Sequence, residues 1–384
     1  MEQLIVQNML LMSRMKNKYM KISNKTKLMN GNGRKQRMKK FLTRISIIFD
    51  VIKDFLFGLV TIVLILALTL GIAHNILKIN EVSSKYNGEY KNLVLVGEKE
   101  MMNVYSIGNG TETIVILSGF GVQSPVLEYK ALASRLSNEY RVVILEYLGY
   151  GYSLQTKTDR TLVNIANEIN SALKEAEITG PYVLVPHSIS NIYAMKYQEL
   201  YPDNVSKIIS IDGLMPNMTK ENKFLAELNE TKANAKISSV IEFTGFARIL
   251  SYAKPEIFYI DKMQKDSCYT SSDIVEYRKR IGSGYLTKTM VKEINNVESN
   301  AIAEKDYIYP ETLPVLEVLS SASVEKYKEE KKNNNFAKDY EEYAKEMLSN
   351  LQIQSVKIVD GDEMLPMTNP DEIANIIKEF VVMY

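Results

Sequence analysis

From about Leu93 onward, short apolar runs alternate with stretches of helical periodicity. Thr113-Ile-Val-Ile-Leu117 and Arg141-Val-Val-Ile-Leu145 are continuous and rich in β-branched residues. Such runs predict strands covered on both faces. Tyr182-Val-Leu-Val185, Lys207-Ile-Ile-Ser-Ile-Asp212, Val315–Leu319 and Ser355–Val359 predict four more. Leu93–Val96 and Met101–Ile107 predict two earlier ones, the second followed by the turn Gly108-Asn-Gly110.

Between the strands the apolar spacing is helical. Ser124-Pro125 predicts a capped helix start, with Leu127, Tyr129, Leu132 and Leu136 along the helix. A helix is predicted over Thr161–Ala176, and another carries Ile192, Ala194, Met195 and Leu200. Asn369-Pro-Asp-Glu372 predicts a capping box before a last helix that buries Ile373, Ile376, Ile377 and Phe380. This alternation predicts the α/β class, a mostly parallel sheet with helices on both faces. Residues 216–310 break the alternation and read as an inserted, mainly helical lid.

One apolar run is different in kind. No charged residue lies between Phe55 and Leu77, and roughly 20 apolar residues cross a bilayer core. A buried core helix is one alternative. A signal peptide cleaved near Gly71-Ile-Ala73 is another, although the run and the segment before it are long for that. The expectation is an uncleaved transmembrane anchor. Between Arg14 and Arg44 lie about a dozen Lys and Arg and no acids. The positive-inside bias then puts the N-terminus in the cytoplasm and the C-terminal part outside the cell membrane, with a single pass. The chain divides into a basic cytoplasmic tail (1–45), the anchor (46–78), a first core part (79–215), the lid (216–310) and a second core part (311–384). Lys78–Gly97 reads as a short tether. Met38-Lys-Lys-Phe-Leu also resembles the start of an anchored protein, which leaves Met38 as an alternative to Met1.

The whole chain has 384 residues, 46% hydrophobic, and a formal net charge of +1. That is enough for a large core, and no global field calls for nucleic acid. A single cysteine, Cys268, excludes an intrachain disulfide.

The chemistry centres on Pro186-His-Ser-Ile-Ser190. A buried strand ends, a tight turn puts Ser188 at its apex, and a helix follows. The pattern is a form of the nucleophile elbow Gly-x-Ser-x-Gly, with Pro186 and Ser190 where glycines usually stand. Ser118-Gly-Phe-Gly121 resembles the His-Gly-x-Gly turn after the third strand of such proteins. Glu146–Ser153 resembles the Asp-x-x-Gly-x-Gly-x-Ser loop after the fourth. On these features residues 93–384 resemble the α/β-hydrolase superfamily, close to its bacterial serine ester- and peptide-hydrolase-like members.

The resemblance implies that Ser188 is the acyl-forming nucleophile and that the amides of Phe120 and Ile189 form the oxyanion hole. It also implies a histidine in the loop after the last strand. That loop, Val359-Asp-Gly-Asp-Glu-Met-Leu-Pro-Met367, has none; Glu363 stands closest to the position, or Asp362 if the loop shifts by one. Of the two histidines, His187 in the elbow is expected to pack in the core, and His74 lies at the outer end of the apolar run. An ordinary Ser–His–acid relay cannot be assembled from this chain alone. The loop Ser320-Ser-Ala-Ser-Val-Glu325 lacks the usual acid. Asp212 is the candidate substitute, or else a turn residue in Asp-Gly-Leu. Asp360, Asp362 and Glu363 lack calcium-loop spacing, so neither metal nor cofactor is implied.

Two functions follow. One is an impaired hydrolase of an ester or amide that uses Ser188, the Phe120 and Ile189 amides and Glu363 as a makeshift base. The other is a pseudoenzyme that binds a lipid, peptide or envelope partner in the lidded pocket.

Overall fold

A computed structural model describes Arg14, Lys18, residues 32–83 and residues 88–384. Most of the basic tail therefore lies outside the described residues, as does part of the expected tether. The chain forms two compact units, Met1–Thr69 and Leu70–Tyr384.

The first element is a long helix, α1 (Asn32–Ser83). Over Lys35–Ile79 it is long and apolar enough to cross a membrane, and its side chains are mostly exposed. The helix continues through Lys78–Ser83, where the mixed charges predicted a tether. Tertiary ion pairs hold these residues, as described below for Lys78 and Glu81.

The second unit is built on one sheet. Its strands are β1 (Leu93–Val96), β2 (Glu100–Ile107), β3 (Thr113–Leu117), β4 (Arg141–Glu146), β5 (Tyr182–Pro186), β6 (Val205–Ile211), β7 (Val315–Ser320) and β8 (Gln354–Val359). The order is β1-β2-β4-β3-β5-β6-β7-β8. β1–β2 and β2–β4 pair antiparallel, and the other pairs are parallel. β3, β4 and β5 are buried on both faces almost throughout, so alternate side chains feed two separate apolar cores.

The helices in chain order are α2 (Pro125–Glu128), α3 (Lys130–Leu136), α4 (Leu162–Glu175) and α5 (Ser190–Leu200). Next come the lid helices α6 (Asn222–Glu242), α7 (Phe246–Ala253), α8 (Ile260–Met263), α9 (Ser271–Gly284) and α10 (Lys288–Ala303). The last four are α11 (Ser321–Lys332), α12 (Tyr340–Glu346), α13 (Leu365–Thr368) and α14 (Pro370–Met383). α11 and α12 fill the stretch between β7 and β8, which the sequence reading left without elements.

Two caps differ from expectation. Ser124 makes no side-chain cap; instead the Glu128 carboxylate accepts the amides of Gln123 (2.8 Å) and Ser124 (3.1 Å). No capping box forms at α14, because the Asn369 side chain turns back and donates to the Asp360 carbonyl at 2.7 Å.

Two buried carboxylates fix the loops around the sheet ends. Glu146 accepts from the Tyr152 amide (2.7 Å), the Val126 amide (3.2 Å) and Asn103 Nδ2 (3.1 Å). It thereby pins the loop after β4 to β2 and α2. Burial outweighs these donors and pushes its carboxyl up to about 7. Glu293 of α10 accepts from the Tyr150 (3.0 Å) and Tyr193 (2.9 Å) hydroxyls, which fastens the lid to α5.

Candidate active site

The site sits at the carboxyl end of the sheet, where strand order reverses around β3. Crevices of this kind take ligands in open α/β sheets. β5 runs into the elbow, and Ser188 adopts φ +55°. The surroundings enforce this conformation. The Ser188 amide donates to Ile211 O at 3.1 Å, and its carbonyl accepts from Asn191 (3.1 Å) and Leu214 (2.9 Å). A non-glycine residue held there costs on the order of 1–3 kcal/mol, a strain typical of functional positions. The half-buried Ser188 hydroxyl has no hydrogen-bond partner among the described residues.

The departures from glycine at the elbow are accommodated. Pro186 closes β5, and Ser190 opens α5 fully buried. The Ser190 hydroxyl donates to Ser118 O at 2.5 Å and accepts from the Tyr147 hydroxyl at 2.8 Å. It therefore ties the elbow to the turn after β3. That turn approaches closely: a Cβ on Gly119 would stand 3.2 Å from the Ser188 Cβ. Next to it the amides of Phe120 and Ile189 donate to no acceptor among the described residues. Two N–H groups without acceptors thus lie in the two turns that meet at Ser188. This is the equipment that stabilises charge on a tetrahedral oxygen.

His187 is fully engaged elsewhere. Its Nε2 lies 2.8 Å from Glu363 O, and its Nδ1 lies 2.7 Å from the Tyr129 hydroxyl. A carbonyl only accepts, so Nε2 carries the proton and Nδ1 accepts from Tyr129. Tyr129 in turn accepts from the Gly119 amide at 3.2 Å. Burial pushes the His187 pKa below its usual range and so favours the neutral ring, an effect partly offset by the Glu363 carbonyl.

Asp212, just past β6 at φ +45°, is also taken. It accepts from the Ser320 amide (2.9 Å), the Ser320 hydroxyl (2.9 Å) and the Ser323 hydroxyl (2.6 Å). Burial raises its carboxyl against these donors. The loop that lacks an aspartate thus supplies the serines that hold Asp212. Glu363 is exposed in the loop after β8, and its backbone, not its carboxylate, bonds to the elbow. The fold thus gathers Ser188, Phe120, Ile189, Asp212 and Glu363 at one end of the sheet, but neither carboxylate bonds to Ser188. Tyr129, Tyr147, Ser320 and Ser323 escaped the sequence reading because no spacing distinguishes a bonded hydroxyl from a core one. His74 is buried beside Gly245 of the lid. Asp360 bonds Ser321, and Asp362 bonds Thr368 and the Met364 amide. Among the described residues no group of His, Cys, Asp and Glu is arranged to hold a metal ion.

This sheet order, elbow and lid define the α/β-hydrolase fold. No family model matches the chain. It is 26% identical over 338 residues to the uncharacterized protein YbdG of Bacillus subtilis, covering 87% of this chain and 98% of that one. It is 29% identical over 119 residues to karrikin insensitive 2 receptor CA of Petunia hybrida, covering 30% of this chain and 43% of the receptor. In three dimensions it is similar to an epoxide hydrolase from Vigna radiata. The TM-score is 0.55 at 16% identity, over 77% of this chain and 99% of that one.

Proposed function

We propose that this chain is a membrane-anchored serine hydrolase of an ester or amide, with slow turnover. The observation that carries the reading is Ser188 held at φ +55° with its hydroxyl free, beside the unengaged amides of Phe120 and Ile189. Ser188 Oγ attacks the carbonyl carbon, and its proton passes to the Glu363 carboxylate. The two amides hold the oxyanion. The leaving oxygen or nitrogen recovers the proton, and water then cleaves the acyl-serine. A carboxylate is a weaker base than imidazole at neutral pH. Loss of a triad histidine costs about a millionfold in kcat, while an oxyanion hole alone retains roughly 10³–10⁴ over water. The exposed apolar helix over Lys35–Ile79 supports the anchor, and the basic residues before it support an inward N-terminus.

A second reading is a pseudoenzyme that binds a lipid, peptide or envelope partner. It is favoured by one observation: both ring nitrogens of His187 are spoken for, so no imidazole serves Ser188. Fluorophosphonate labelling of the full-length protein separates the two. A working nucleophile labels, loses labelling in Ser188→Ala and slows in Glu363→Gln. Folded wild-type protein that fails to label overturns the hydrolase reading.

A further inference from the structure

The end of α1 and the lid turn between α6 and α7 are locked together. The Phe243 ring packs onto Gly71, and Asn75 Nδ2 reaches the Phe243 carbonyl at 3.5 Å. Lys78 pairs with Glu242 at 2.5 Å. Arg248 grips both oxygens of Glu81 at 2.7 and 2.6 Å. The buried His74 ring fills the space at Gly245, whose φ is +71°. A Cβ there would stand 2.6 Å from His74 Nδ1, so only glycine fits.

From this turn α7 projects Phe246 (53% exposed), Ile249 (47%) and Tyr252 (65%) on one face, flanked by Phe243 (48%) and Ile257 (54%). Its other face buries Ala247 and Ser251. A helix that packs on one face and exposes an apolar row on the other still has that row to cover. The Arg278 guanidinium sits 4.5 Å from the Tyr252 ring centre, and Lys254 is exposed at the end of α7. Aromatics beside basic groups are characteristic of segments at a membrane–water interface.

The contact with Gly71 identifies the occupant. Gly71 lies inside the apolar run, six residues before Leu77. At 1.5 Å per residue, Phe243 reaches about 9 Å below the end of that run. Interfacial helices seat their apolar faces at about this depth, roughly 5–10 Å. We propose that the lid face of Phe243, Phe246, Ile249, Tyr252 and Ile257 is a lipid-bilayer docking surface, seated in the headgroup layer where α1 emerges. This rests on the anchor reading.

The test uses the full chain with Cys268→Ser in vesicles of phosphatidylglycerol and phosphatidylethanolamine. A polarity-sensitive fluorophore is placed singly at Phe246→Cys, Ile249→Cys, Ile65→Cys within the run, and Leu351→Cys in the turn before β8. Docking is supported if labels at 246 and 249 emit at shorter wavelength and lose emission to brominated lipid, as at 65, while 351 stays water-like. Quenching at 65 with water-like emission at 246 and 249 overturns the docking surface and leaves the anchor standing. No quenching at 65 overturns the anchor and the proposal with it. A blue shift at 246 without quenching, growing with protein density, assigns the face to a second copy and also overturns the proposal.

Discussion

The Nε2–H of His187 donates to the carbonyl of Glu363, at 2.8 Å. The residue beside Ser188 thereby holds the loop that follows the last strand. Through Tyr129 and the Gly119 amide the same ring reaches the turn after β3. One neutral imidazole thus joins the loops after β3, β5 and β8.

The first prediction tests this role as a strut. In His187→Gln, fluorophosphonate labelling of Ser188 persists, because both ring nitrogens of His187 bond to other groups. Stability falls, by about 1–3 kcal/mol if Tyr129 or Glu363 O is left unpaired. Burial lowers the His187 pKa from 6.5, so the unfolded chain takes up that proton more readily. Its contribution is present above pH 6.5 and is lost as pH falls. Urea unfolding at several pH values should show the stability difference between wild type and His187→Gln shrinking as pH falls. Labelling abolished in His187→Gln would assign the base to this ring.

A second prediction concerns Ser190, whose hydroxyl links Ser118 O and Tyr147. Ser190→Ala leaves both partners buried and unpaired, and each such group costs about 1–3 kcal/mol. Unfolding midpoints should drop, and labelling should slow as the turn bearing Phe120 loosens. Unchanged stability would mean that the bonds are not made in solution.

The sheet and the elbow were legible in the sequence for a shared reason. Strands buried on both faces must be apolar throughout, so Thr113–Leu117 and Tyr182–Val185 stand out, and a serine shortly after such a run marks the turn. Side-chain bonds were not legible. Asn369 had a good capping neighbourhood but found the Asp360 carbonyl instead. Asp212 looked like either an acid or a turn residue, and only the packing of β6 beside β7 brings Ser320 and Ser323 to it. Lys78–Ser83 looked like a tether, because the ion pairs that hold Lys78 and Glu81 in the helix come from the lid, more than 160 positions away.

A third prediction follows from the backbone at Ser188. Glycine relieves a cost on the order of 1–3 kcal/mol at a positive φ, but loses about 0.5–1 kcal/mol more chain entropy on folding. Ser188→Gly should therefore be more stable than Ser188→Ala by about 1 kcal/mol, and both should be unlabelled. Thermal unfolding of the pair decides it, and an alanine variant as stable as the glycine one would show that the elbow relaxes.

A fourth prediction concerns the lid seat. Gly245→Ala drives a Cβ into His74, and Arg248→Ala removes the fork that holds Glu81. Either change should expose the α6–α7 turn to limited proteolysis while cleavage elsewhere stays as in wild type. The Arg248 effect should exceed that of an exposed pair, which is worth about 0.2–1 kcal/mol, since both partners are mostly buried. Resistance equal to wild type in both variants would refute the lock.

The last prediction is a pH dependence opposite in sign to that of His187. Burial pushes the carboxyls of Glu128 and Glu146 up from 4.5 to about 7. Between those values the folded protein binds protons that the unfolded chain has lost. Stability from these groups is therefore full below pH 4.5 and falls as pH rises through 7. At 1.36 kcal/mol per unit, each contributes at most about 3.4 kcal/mol to the change. Glu146→Gln removes one titration. It also turns an amide N–H₂ toward donors such as the Tyr152 and Val126 amides, so its absolute stability drops and the slope is the quantity to read. Urea unfolding between pH 5 and 8 should give a shallower decline in Glu146→Gln than in wild type. Equal slopes would mean that Glu146 stays ionised in the fold, with its three donors prevailing over burial.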